Sequence, residues 1–482
     1  MTRSLFIAPF LLALALFSAG SLAGAPRIWT DRDGRSVEAE LVRADVSSIV
    51  IRRVADGREF TLARERLSVA DLDYLDKNEP KSPDPVIAAS PDGWIAPLNQ
   101  AFALPLFSDD SLWNDDAGEI ASRLKLHPES TTPGYESWRR FLRQGLPILD
   151  APAYTISLRA EDGRPAELSV LFINRGDFPA FIGSESFSII PAATLQEFRS
   201  RLSADFEKIR ARLASVLPKS EIAPTPALRR AFPGELAVFA AGDHQLILQH
   251  LPEWHLALRI QPSERVAPPR LSDDRLRQRL RSRVTRRETG DVVLDRIPMV
   301  DQGPKGYCVP ATFERFLRYS GIAADMYDLA ALGGTGYGGG TNVTKLVDSL
   351  ERTVRQNGRR LEAVELKITP AGLARFIDEG RPVLWSLSST TTFNALASAY
   401  SARRATLSDL DSLKTLAADK RILSVGLRPE SGSAHVCLLV GYNRSTGELA
   451  FSDSWGPDFA ERWLPASAVQ AVSSGECWVL NF

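Results

Sequence analysis

The sequence predicts a multidomain α+β protein: a small β-barrel, an α+β middle domain and a C-terminal α+β domain. Three observations predict it. Short period-two strands joined by tight turns fill residues 27–78, a proline-rich stretch without apolar period follows at 79–94, and strand runs alternate with helical stripes from 95 onward. At 482 residues, 44% hydrophobic and 24% charged, the chain can bury roughly two or three ordinary cores. The formal net charge of −1 provides no long-range field to attract nucleic acid or an anionic membrane, so neither partner is expected.

The first element is residues 1–23. Arg3, an apolar run from Leu5 to Phe17 and the small residues Ser21 and Ala23 read as a cleaved signal peptide. The run is short for a stable membrane span. No cysteine lies at the cut, so the mature protein is expected to be free, secreted or periplasmic.

In residues 27–78, strand patterning at Val37–Val42, Ile49–Ile51 and Phe60–Leu62 is punctuated by Asp33-Gly34 and Asp56-Gly57. Ser68 and Asp71 have the spacing to cap a closing helix whose Leu72 and Leu75 pack back. From Arg27-Ile-Trp-Thr-Asp through Leu67-Ser-Val-Ala-Asp to Tyr74-Leu75 the segment resembles the SLA homology domain, an SH3-like barrel. That resemblance implies either a peptide ligand for the barrel or a spacer role.

Residues 79–94, with Pro80, Pro83 and Pro85 and then Pro91-Asp-Gly93, read as an extended linker. The stretch 95–267 is expected to be an α+β domain of unknown role. Its strands are Tyr154–Leu158, Leu168–Ile173 and Leu246–His250, and its long helix runs through Leu195, Leu202, Ile209 and Leu213. His244, His250 and His255 are spaced by six and five residues, which does not set three imidazoles on one helix face, so no metal site is expected.

Residues 268–295 read as a basic connector helix. Asp273 and Asp274 suit its start, the arginines between Arg275 and Arg287 its later turns, and Leu276, Leu280 and Val284 form an apolar stripe. It is either a helix lying on a neighbour or an exposed processing site.

The chemistry concentrates in residues 296–482. Cys308 precedes a helical stripe of Phe313, Phe316 and Leu317, with Pro310 suited to a first turn and Gly321 to the exit. A cysteine at a helix start is favoured as thiolate by the unpaired backbone N–H groups there. Gln302, in the glycine-rich loop before it, can donate its side-chain amide to a developing oxyanion. His435 is the last histidine in the chain and opens the apolar run Val436–Val440. A turn at Asn443–Gly447 then brings a second strand back to Asp453, where a carboxylate can orient the imidazole. Cys308 as nucleophile, His435 as base and acid, Asp453 as orienting group and Gln302 as oxyanion donor is the layout of a cysteine hydrolase. No cofactor or metal is called for.

Gln302, Gly306-Tyr-Cys308, Ala434-His435 and Asp453-Ser-Trp-Gly456 resemble the motifs of papain-like cysteine peptidases. Within them the chain is most similar to bacterial peptidases related to those that cleave double-glycine leaders. The resemblance implies a papain-like fold over 296–482, a protein or peptide substrate, and the same roles for Cys308, His435, Asp453 and Gln302. Asp453 stands where many members have asparagine, and Val309-Pro310 follows the cysteine where a small residue and tryptophan are common. A non-catalytic peptide-binding protein and a thiol acyltransferase remain the alternatives.

Three further readings complete the segment. Gly333–Gly340 is expected to wall the cleft, with Thr341 capping the next helix through Leu346 and Leu350. Pro382–Leu387 reads as a buried strand and 391–420 as a helical insertion. Cys437 and Cys477 read as buried apolar cysteines, with a bridge between them the alternative.

Overall fold

The structure, a computed structural model, describes residues 26–30, 36–44, 48–63, 67–78, 93–178, 192–217, 220–264, 271–303, 306–336, 340–419, 422 and 425–482. The expected signal peptide and positions 79–92 of the expected linker lie outside these residues. The chain divides into two compact units, Met1–Pro83 and Asp84–Phe482.

In the first unit β1 (Arg27–Thr30), β2 (Ser36–Ala44), β3 (Ser48–Arg53) and β4 (Glu59–Ala63) form an antiparallel meander in that order, followed by α1 (Val69–Asn78). Trp29, Ala39, Leu41, Ile49 and Ile51 bury one face of the sheet, together with Leu67 and Leu75. The expected capping pair forms: Ser68 Oγ accepts from the Asp71 N–H at 3.2 Å and donates to its carboxylate at 2.9 Å. Among the described residues the sheet stays open, where a barrel was expected. The backbone of Thr30 is already engaged by the turn into α1. Its C=O accepts from Ser68 N–H at 2.7 Å, and its N–H donates to Asp71 at 2.6 Å.

The second unit begins with α2 (Ile95–Phe102) and α3 (Ala117–Arg123). Then come β5 (His127–Thr132), β6 (Tyr135–Ile148), β7 (Ala151–Glu161), β8 (Arg164–Asn174) and α4 (Ala192–Val216). β9 (Glu221–Ile222), α5 (Pro226–Ala231), β10 (Glu235–Ala241), β11 (His244–Leu251) and β12 (His255–Pro262) follow. The strands make one antiparallel sheet, ordered β5-β6-β7-β8-β12-β11-β10-β9. The long helix expected from the apolar spacing is α4, and Phe198, Leu202, Phe206, Ile209 and Leu213 form its buried stripe. Trp94, at the end of the expected linker, is buried against Phe107 and His244, so it belongs to this core. The three histidines do not converge on a common centre: His244 accepts from Leu112 N–H at 3.0 Å, His250 meets Glu235 at 3.2 Å, and His255 lies 3.4 Å from Asp328.

The rest of the unit contains α6 (Asp273–Arg281), β13 (Val284–Arg286), β14 (Asp291–Leu294), α7 (Cys308–Tyr319), α8 (Met326–Gly333) and α9 (Val343–Gln356). Next come β15 (Arg360–Ala363), α10 (Pro370–Ile377), β16 (Val383–Ser388), α11 (Thr391–Arg404) and α12 (Leu410–Ala417). β17 (Ala434–Asn443), β18 (Glu448–Ser452), β19 (Arg462–Pro465), α13 (Ala466–Val472) and β20 (Ser473–Asn481) complete it. The main path of the sheet is β13-β14-β17-β16-β20-β15, with β18 and β19 continuing from β17.

Two expectations are corrected here. The connector helix ends at Arg281, and Val284 pairs with Leu294 across a hairpin, because Glu288-Thr-Gly290 supplies a turn and Gly290 takes φ +86°. Helix α9 is capped by Asn342, whose side chain accepts from Lys345 N–H at 2.8 Å, while Thr341 bonds to Thr335.

The two sheets are joined through α7 and α8. Leu171 and Ala257, on the face of the first sheet opposite α4, bury Val300, Tyr307, Ala311, Met326, Tyr327 and Ala330. With helices on both faces, β12 is buried along almost its whole length.

Candidate active site

Cys308 opens α7, as its flanking sequence predicted, and Tyr307 ahead of it provides no side-chain cap. The helix lies on β17, where Thr312 Oγ1 donates to the Val436 carbonyl at 3.0 Å. Arg315, one turn on, donates to the carbonyl of Pro298 at 2.9 Å and to the Ser452 hydroxyl. These bonds fix the start of α7 against the strand that carries the histidine.

His435 is the second residue of β17 and pairs in register with Leu387 of β16. The hairpin to β18 forms as expected, with the Asn443 carbonyl accepting from Gly447 N–H at 3.0 Å. Asp453 follows the last residue of β18, and its Oδ1 lies 2.9 Å from His435 Nε2. With Nε2 committed to the carboxylate, Nδ1 is the imidazole nitrogen left for Cys308. Trp455 stacks on His435 with centroids 4.9 Å apart, so an indole covers the imidazole. Cys308, His435 and Asp453 are all buried.

Sequence reasoning missed two members of this cluster. Cys437 Sγ donates to Asp453 Oδ1 at 2.7 Å, and Arg462 Nη1 reaches Oδ2 at 2.7 Å. Strand alternation was a usable signal for the first, because residues 435 and 437 must share a face of β17. Arg462 arrives on β19, opposite Phe451, and no local pattern announces it.

The charges follow from these contacts. Burial alone would push the Cys308 thiol up, but the adjacent His435, with the backbone N–H groups of Val436 and Val309, holds its pKa below the ordinary value. Burial disfavours an imidazolium, yet Cys437, Cys308 and Asp453 together raise His435 well above its ordinary value. Burial and the Asp453 charge push Cys437 itself up to about 12, so it is a thiol at neutral pH. The contributions that operate there are therefore those of Cys308 and Asp453. Burial also opposes the Asp453 carboxylate, but the hydrogen bond and charge of His435, then Arg462 and Cys437, hold its pKa below the usual range. The arrangement favours a thiolate–imidazolium pair backed by a carboxylate.

Ligand atoms of His435, Cys437 and Asp453 lie within 4.8 Å of one another, near enough to share a metal ion. Their mutual hydrogen bonds and the Arg462 cation on the same carboxylate account for that proximity.

Gln302 is held at both ends of its residue. Its backbone N–H donates to the Ser454 carbonyl, and its Oε1 accepts from the Ser454 hydroxyl, each at 2.9 Å. With Oε1 engaged, Nε2 is the end that can donate to an incoming group. The glycine loop lies beside this segment: Gly340 N–H donates to the carbonyl of Gly306, two residues before Cys308, at 3.2 Å. Residues 337–339 of that loop are outside the described residues.

Residues 294–478 match the model of the Peptidase_C39 like family. The C-terminal part of the chain is thus similar to the C39 peptidases, and the C39-like domain contains Gln302, Cys308, His435 and Asp453. No curated protein matches the chain. In the C39-like domain Cys437 and Cys477 are both free and both face Trp385, one from each neighbouring strand. Two strand spacings of about 4.8 Å separate them, which is beyond the reach of a disulfide. Among the described residues no helix is long and apolar enough to cross a membrane.

Proposed function

We propose that this protein is an exported cysteine peptidase that hydrolyses peptide bonds through Cys308, His435, Asp453 and Gln302. The observation that carries the reading is a cysteine at the start of α7 beside an imidazole whose Nε2 is tied to Asp453 at 2.9 Å, an arrangement that lowers the Cys308 pKa and raises that of His435. The match of residues 294–478 to a peptidase family supports the same chemistry.

In this mechanism the Cys308 thiolate attacks the substrate carbonyl carbon and an S–C bond forms. The carbonyl oxygen takes the negative charge, facing the Gln302 amide and the Cys308 N–H. The imidazolium of His435 passes its proton to the leaving nitrogen, and the C–N bond breaks to leave an acyl-enzyme. His435 then takes a proton from water as the water attacks the thioester, and the thiolate departs. Asp453 keeps the imidazole oriented and its cation stabilised throughout.

Export rests on the sequence of residues 1–23. The N-terminal unit is read as a spacer or a peptide-binding module, and leader cleavage is not carried over from the resemblance. The test is Cys308→Ala in the full chain with a casein digest. Hydrolysis should vanish while the melting temperature stays put, and hydrolysis at the wild-type rate would overturn the reading.

A further inference from the structure

Residues 95–267 supply no group to the reaction just described, yet they hold the loop that carries Gln302 and leads into Cys308. β5 runs beside that loop. Ser130 Oγ accepts from Met299 N–H at 3.1 Å, and Glu129 Oε1 accepts from Asp301 N–H at 2.8 Å. Both acceptors are buried, and Glu129 is itself fixed, by Arg139 at 2.6 Å on the same oxygen and by the Ser137 hydroxyl at 2.9 Å on the other.

The next positions are just as constrained. Gly303 adopts φ +74° beneath Phe141 of β6, where a Cβ would fall 2.8 Å from the ring. Tyr307, the residue before Cys308, sends its hydroxyl into the first sheet. It donates to Asn174 Oδ1 and accepts from Gly176 N–H at 3.0 Å.

We propose that the first sheet of this unit is the positioning element for the oxyanion loop, acting on Gln302 through Glu129 and Ser130 and on Cys308 through Tyr307. The proposal rests on the roles assigned to Gln302 and Cys308 above. Residues 299–303 belong to no helix or ladder, so their backbone donors must find acceptors elsewhere. Two of them, on Met299 and Asp301, find buried acceptors in β5 immediately ahead of Gln302, the residue that should meet the oxyanion. Cohesion between the sheets does not need these bonds, because the apolar cluster around Tyr307 and the Arg259–Asp328 pair at 3.2 Å already supply it. A donor to a transition-state charge, in contrast, is useful only when it is held near its final position, and misplacement by about 1 Å costs on the order of a hundredfold.

Two reactions of Cys308 separate positioning from plain packing. Alkylation by iodoacetamide forms an S–C bond at a saturated carbon, releases iodide and needs no oxyanion donor. Acylation by p-nitrophenyl acetate forms an S–C bond at a carbonyl, passes through an oxyanion and releases p-nitrophenolate. In the full chain, Glu129→Ala should lower the acylation rate about tenfold and Ser130→Ala about threefold, with alkylation of Cys308 kept within about twofold in each. Asp328→Asn, at the same interface but away from the loop, should leave the ratio of the two rates unchanged. If Glu129→Ala does not fold, Ser130→Ala decides, since it leaves the Arg139 pair intact. Unchanged ratios in the β5 variants, beside a wild type that is acylated normally, would overturn the positioning role and leave the peptidase reading standing. A wild type whose Cys308 is not acylated at all would overturn both.

Discussion

Arg462 meets Asp453 at 2.7 Å, on the carboxylate oxygen that His435 does not use. Both side chains are almost fully buried, and the guanidinium also bonds the Asn394 carbonyl at 2.9 Å. Many papain-like peptidases place a neutral asparagine at the position of Asp453. Here the paired arginine offsets the carboxylate charge, so the group behind the imidazole is close to neutral as a unit.

Removing one member of that pair should therefore be costly. Arg462→Met leaves a buried carboxylate without its cation and should lose about 3–5 kcal/mol. Adding Asp453→Asn to Arg462→Met should recover part of that loss. Urea denaturation of the two single variants and the double gives the coupling, and simple additivity would show that the pair acts independently.

Acid stability should depend on the same carboxylate. The Asp453 pKa is lower in the folded chain than in the unfolded one. Its stabilisation is complete above the unfolded value of about 3.9 and is lost as pH falls through the folded value. Melting temperatures below about pH 4 should fall less steeply in Asp453→Asn than in the wild type.

The chain should carry no disulfide. β16 lies between Cys437 and Cys477, and Cys308 is free. A thiol titration in guanidinium without reductant should find all three cysteines of the chain. Finding a single thiol would mean that two had paired.

Gly303→Ala should destabilise the chain by about 1–3 kcal/mol, through a strained positive φ and a clash with Phe141. Because the residue follows Gln302, acylation of Cys308 should fall more than alkylation does. Equal losses in both would separate Gly303 from the oxyanion loop.

What could be read from the sequence was what local pattern encodes. Phe313, Phe316 and Leu317 place a helix after Cys308, and a strand, turn and strand bring Asp453 back to His435. What could not be read depends on pairings between distant segments. Arg462 reaches Asp453 only because β19 pairs with β18, and Glu129 reaches Asp301 across 172 positions. The connector helix was overextended because Val284 fits a four-residue stripe as well as it fits a strand, and pairing with Leu294 decided between them. Among the described residues the barrel expected at 27–78 appears as a four-stranded open sheet, with the backbone of Thr30 bonded to Ser68 and Asp71.

The most direct test of the thiolate–imidazolium pair is mass-spectrometric mapping of iodoacetamide labelling as a function of pH. Cys308 titrates below its ordinary value, whereas Cys437 and Cys477 are pushed up to about 12. At about pH 6–7 the native chain should therefore label at Cys308 faster than at either other cysteine by on the order of a hundredfold or more. Labelling of Cys308 that rises only near the ordinary thiol range, or that matches the other two cysteines, would contradict the account.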